Sequence, residues 1–234
     1  MALVKRSEPS FMTAAKAAQR VGYAAQSELA LREALESFCR DRWPDARIVH
    51  ELVMGEGKVR ADVVAIDTTH IAAFEVKGSY DDTTRLLHQV GMFQLCVPEV
   101  WMVVAENHEY DASLIMHLLP SVGLIVAKGM DRGYRWGQGK DPVEITVTAE
   151  PEPRAVVIEM MLNVLWANEL RAICGRLNIA CNARTTRAHA IKGLAAHVSV
   201  DELKRECCAE LRARDALWRA DAPMSPNCNT GEKP

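Results

Sequence analysis

Apolar positions recur along this chain in two rhythms, and the rhythm changes at definable places. Residues 27–43, SELALREALESFCRDRW, put Leu31, Ala34, Leu35 and Phe38 on one face at helical spacing; Ser27 stands at the N-cap and Pro44 stops the run. Three short apolar segments follow, ARIVHELVMG, RADVVAID and IAAFEVKG, the first two joined by the turn GEGK. Their length and β-branched content predict strands. DDTTRLLHQVGMFQLCV returns to helical spacing, with Asp81 or Asp82 at its start. EVWMVVAE is a continuous apolar strand of the kind found at a sheet centre, DASLIMHLLP a helix, and VGLIVAKG a strand. YRWGQGKDPVEITVTA adds a hairpin around its glycines.

The order is α-β-β-β-α-β, then a further helix and strand, which predicts an α/β core with a mixed sheet flanked by helices. An antiparallel meander feeds a parallel crossover. This core spans 27–150, behind a loose N-terminal arm at 1–26. PEPR at 151–154 marks a change of composition. Residues 154–219 read as a helical module, with AVVIEMMLNVLWANELRAICGRL as its first helix. The tail at 220–234 is rich in Pro, Asn and Ser and reads as disordered.

Composition narrows the function. No apolar run approaches the ~18 residues that span a bilayer, so no membrane partner is expected. The first 22 residues lack the apolar stretch of a signal peptide, and the seven cysteines include no C-x-x-C pair. A reducing cytoplasmic location without a zinc site is the expectation. Net charge is −3, but residues 154–219 carry +4 and residues 1–153 carry −6. The basic excess suits either a nucleic-acid contact or an ordinary solvated helical surface.

Three charges lie inside the apolar strands: Asp62, Glu75 and Lys77. A two-residue loop at Thr68-Thr69 would place Asp62 opposite Glu75, with Lys77 on the same face. Two carboxylates that close repel unless cations sit among them. Lys77 supplies one positive charge, and an oxygen-only ligand set suits Mg²⁺ or Mn²⁺ for the rest. Such an ion activates water and neutralises phosphoryl charge. The competing explanation is a cross-strand salt bridge. Against it, both strand faces are apolar away from the charged end: Val63, Ala65, Phe74 and Val76 on one, Val64, Ile66, Ile71 and Ala73 on the other.

RAD…FEVK on a hairpin, flanked by helices in this order over about residues 27–128, resembles the PD-(D/E)XK nuclease superfamily, whose core is restriction-endonuclease-like. The proline of the motif is absent, and Arg60-Ala61 precede Asp62 instead. The resemblance implies that Asp62, Glu75 and the Val76 carbonyl bind the metal and that Lys77 serves the attacking water. It further implies a glutamate from the first helix. Glu28, roughly 40° from the centre of that helix's apolar face, is one choice, and Glu51 on the first strand is the other. Gln89, four residues before Phe93, is similar to the Q-x-x-x-Y element of the RecB-like branch, with Arg85 one turn earlier to touch a phosphate. The run DDTTRLLHQ is similar to small bacterial and phage nuclease-like proteins.

In the helical end, Arg184, Arg187 and Lys192 surround a helix–loop–helix that weakly resembles the SAP-type DNA-binding module. A helical cap over one sheet face is the alternative. The functional expectation is therefore a metal-dependent nuclease acting on DNA as a monomer or homodimer, with RNA left open as substrate. Two others stand beside it: a non-catalytic nucleic-acid-binding module on the same fold, and an interaction protein whose charges form only a salt bridge.

Overall fold

The computed structural model describes residues 28–128, 143–215 and 220–224. The N-terminal arm, the Ser27 cap and the glycine-rich part of the expected hairpin lie outside them. Helix α1 covers residues 28–42. Six strands make one sheet in the order β1-β2-β3-β4-β5-β6: β1 (Arg47–Met54), β2 (Val59–Ile66), β3 (Ile71–Lys77), β4 (Glu99–Ala105), β5 (Gly123–Lys128) and β6 (Glu144–Ala149). The first three pair antiparallel, β3-β4-β5 run parallel, and β6 returns antiparallel. Helices α2 (Leu86–Cys96) and α3 (Glu109–Leu118) make the crossovers. The predicted strand and helix order holds.

Strand alternation divides the apolar side chains between two cores. Leu31, Leu35 and Cys39 of α1 pack on Ile48, Val63, Ala65, Phe74, Trp101 and Ile125. On the other face α2 packs on Val64, Ile66, Ala73, Met102 and Val104. Trp101 is locked in the first core: its indole N–H donates to Glu99 at 2.7 Å, and its ring stacks on Phe74. A Cβ on Gly123 would lie 2.5 Å from Trp101 Cε3 and 2.9 Å from Pro151 Cδ. Gly123→Ala is expected to cost about 2 kcal/mol or more through this overpacking, read as a lowered melting temperature.

The helical end is α4 (Ile158–Leu162), α5 (Ala167–Arg176), α6 (Arg187–His197) and α7 (Val200–Ala213). Its Leu162, Leu165, Ile173, Leu194, Leu203 and Leu211 belong to the same core as α2 and the sheet. These helices therefore cover one sheet face. Among the described residues no helix is long and apolar enough to cross a membrane.

Three local expectations are corrected. α2 begins at Leu86, later than Asp81 or Asp82, because those acids build the preceding turns: Asp81 accepts the Gly78 N–H, and Asp82 accepts the N–H and hydroxyl of Thr84. The single helix read over 155–177 breaks at Asn163–Leu165. There Val164 and Leu165 turn into the core, and Glu169 re-caps the chain by accepting the Trp166 N–H at 2.6 Å. Arg214 satisfies the Val164 carbonyl released by the break and pairs with Glu169. The disordered tail expected from residue 220 does not hold for 220–224. Ala220 bridges Val49, the Asp221 N–H donates to the Ile48 carbonyl, and the Met224 N–H donates to the Arg212 carbonyl.

Candidate functional site

The β2–β3 hairpin has the register derived from sequence. Val63 pairs with Phe74 and Ile66 with Ile71, and Thr68-Thr69 form the loop closed by the Asp67 N–H on the His70 carbonyl. The regular ladder stops at Val63. Beyond it the Asp62 carboxylate takes a backbone role, its Oδ2 accepting the Val76 N–H at 2.7 Å.

This departure begins one strand away. Glu51 has φ +59°, a left-handed backbone. It sits between the pairs His50–Val63 and Leu52–Ala61, facing Asp62. Regular alternation from Ile48 and Val63 would put Leu52, Met54, Val59 and Ala61 on the α1 side. Instead all four belong to the α2-side core. Both strands thus roll over at the Glu51/Asp62 position, and the roll swings their charged side chains out of the ladder.

Arg32 of α1 fills the resulting space. Its Nη2 lies 3.0 Å from Glu28 Oε1, 3.2 Å from Glu51 Oε1 and 3.0 Å from Asp62 Oδ1, and its Nη1 donates to the Asp62 carbonyl at 3.0 Å. Arg60 pairs with the second oxygen of Glu51. His50 completes the rim, with Nε2 3.0 Å from Glu36 Oε1. Glu28 and Glu51, the two alternatives for a third acid, therefore both reach the cluster, and both through Arg32.

On the α2 side, Lys77 Nζ donates to Glu75 Oε1 at 2.6 Å. Glu75 is 2% exposed and Lys77 8%. Among the described residues no hydrogen-bond partner meets the buried Glu75 Oε2 or Gln89 Oε1, although the Gln89 side chain lies near enough to draw the Glu75 carboxyl down. Burial outweighs this. It pushes the Glu75 pKa up to about 7, with the charge of Asp62 adding to the rise and Lys77 opposing it. Burial also raises Asp62, against the Val76 N–H and Arg32.

A carboxyl raised in the folded state gives stability that is complete below its unfolded pKa and is lost as pH climbs through the folded value. Metal-free protein is therefore expected to lose stability between about pH 4.5 and 7 from this group. Glu75→Gln removes that slope. The variant's stability relative to the parent should rise by on the order of 2 kcal/mol across the window. Urea melts at pH 4 and pH 8 measure this, and parallel curves would rule it out.

Asp62, Glu75, Lys77, Gln89 and the Val76 backbone thus meet at one place, with Glu28 tied in by Arg32. The basic residues do not join them. Arg85 is exposed at the start of α2. Arg184 and Lys192 are exposed on the helical cap, while Arg187 is held to the Asn163 carbonyl. Arg32 was not anticipated as a site residue, since its sequence position marks only an i,i+4 partner for Glu28. Burial of its guanidinium depends on the approach of β1 and β2.

The fold and this cluster define a mixed α/β protein with a six-stranded sheet, covered by helices, and a buried acid–lysine group where a hairpin leaves its ladder. The chain belongs to the family described as bacteriophage P4 protein cII, whose model matches residues 26–227, through sheet and helical cap alike. No curated protein and no solved structure matches it.

Proposed function

We propose that this protein is a phage-related, metal-dependent nuclease of PD-(D/E)XK type that hydrolyses DNA phosphodiester bonds. The observation that carries the proposal is Glu75: a carboxyl 2% exposed, with one oxygen unpartnered, beside Lys77 and within the field of Asp62. A buried carboxylate oxygen lacking a partner is costly unless something binds it.

A hard cation fits that need. Among the described residues no three His, Cys, Asp or Glu side chains form a ready-made cation cluster. Mg²⁺ does not require one, because it is held by one or two carboxylates and keeps several waters. Asp62 and Glu75 would hold it. The Val76 carbonyl would join them, because N–H and C=O of one residue face the same strand edge and the Val76 N–H already points to Asp62. When bound, the ion supplies water activation and neutralises charge on the phosphoryl group. Val76 N–H and Arg32 fix the two oxygens of Asp62. Glu75 anchors the Lys77 ammonium, whose Nζ, once it has given up a proton, would orient the attacking water and take its proton. Gln89 steadies Glu75 from α2.

One observation favours the salt-bridge alternative: Arg32 already compensates Glu28, Glu51 and Asp62. Purified protein incubated with closed-circular and linear DNA, with Mg²⁺ or Mn²⁺, separates the two. Metal-dependent cutting supports the nuclease, and cutting of the closed circle makes it an endonuclease. No cutting, together with no metal affinity by calorimetry, leaves the salt bridge.

A further inference from the structure

Beside the acid cluster, between β1 and the helical cap, runs a groove of about 440 Å³. His50, Glu51 and Val53 line one side, and Asn163, Trp166 and Arg187 the other. Two of its groups are unusual for a surface depression. Trp166 is 45% exposed, with the Arg214 guanidinium 4.4 Å over its ring. Arg187 bonds the Asn163 carbonyl through Nη2, yet its buried Nε has no acceptor among the described residues.

We infer that this groove receives an unpaired nucleobase of the substrate strand, and so directs the enzyme to single-stranded or frayed DNA. The inference rests on the nuclease proposal for its place in the reaction, though not for the binding itself. An exposed tryptophan offers a π-face on which any base stacks. The volume is at the small end of that used for ligands the size of a nucleotide. The lining mixes two carboxylates, Glu51 and Glu56, with two arginines, Arg187 and Arg214. That combination disfavours a bare phosphate, which would meet repulsion from Glu51, and suits a base edge, which presents both amino donors and ring or carbonyl acceptors. The Arg187 guanidinium lines the groove as a donor for such an acceptor. Position links the groove to the chemistry: Glu51 lines it and shares Arg32 with Asp62. A base held there sets the adjoining backbone beside the acid cluster.

The test measures binding without cleavage. A fluorescent single-stranded oligonucleotide of about 12 residues and its duplex are titrated in EDTA with the full chain, Trp166→Ala and Val53→Glu. Val53 is 50% exposed, so its replacement blocks the groove without disturbing the core. The parent is expected to prefer the single strand. Each variant should bind it about tenfold more weakly, with duplex binding unchanged. Should Trp166→Ala fail to fold, Val53→Glu decides. Unchanged single-strand affinity in folded variants, or no single-strand binding by the parent, overturns the groove. Binding that depends on Trp166 and Val53 in a protein that never cuts DNA overturns the nuclease reading and leaves the groove standing.

Discussion

Lys77→Ala is expected to lower DNA cleavage at saturating Mg²⁺ by about a thousandfold, within the range for loss of a positioned proton-transfer group. The variant should still fold, because Lys77 sits at the end of β3 and, among the described residues, pairs with Glu75 alone. Removing the ammonium leaves Glu75 facing Asp62 uncompensated, which raises its pKa further and weakens metal capture at neutral pH. The loss should therefore be partly recovered at higher pH or higher Mg²⁺, a pattern a merely misfolded variant would not show. Glu75→Gln should abolish both cutting and metal affinity, with no recovery. Equal cutting by parent and Lys77→Ala would show that a contaminant does the work, and the catalytic proposal would fall.

Arg47→Ala is expected to destabilise the fold by about 3–5 kcal/mol, the loss seen when a buried charge network is broken. Arg47 is fully buried in β1. Its Nη1 donates to the carbonyls of Leu211, Arg212 and Arg214 at 2.9, 2.9 and 2.7 Å, and its Nε to the Asp221 carbonyl at 3.0 Å. The first three close the C-terminus of α7, where carbonyls lack helical donors and the dipole favours a cation. Burial lowers the Arg47 pKa, a measure of how costly this placement is. One guanidinium thus fastens the last helix and the 220–224 strap to the first strand. Alanine leaves a cavity and takes the arginine donor from the Leu211, Arg214 and Asp221 carbonyls, while the Arg212 carbonyl keeps the Met224 N–H. The shift should appear as a lower urea midpoint at unchanged m-value, and a change below about 1 kcal/mol would refute the clamp.

The part of the site legible in the sequence is the part governed by strand periodicity. The two-residue loop fixes the register from Val63–Phe74 to Ile66–Ile71, and period-two alternation puts Glu75 and Lys77 on one face; Asp62 comes near them through the roll of its strand and the Val76 N–H, not through alternation. Gln89 was reached through the resemblance, as the glutamine four residues before Phe93. The start of α2 was not legible. Asp81 and Asp82 satisfy N-cap rules equally well as turn acceptors, and propensity does not choose between them.

By itself, then, the sequence determined the order of elements, both faces of the hairpin and the place where charge enters an apolar sheet, all consequences of spacings within about twenty residues. Only tertiary structure decided the roll of β1 and β2 at Glu51 and Asp62, the burial of Arg32 among three acids, the break before Trp166 and the docking of 220–224. Each depends on groups remote in the chain, such as Arg47 and Asp221, 174 residues apart. A buried polar group takes whatever partner the packing brings within reach, and periodicity along the chain carries no record of that partner.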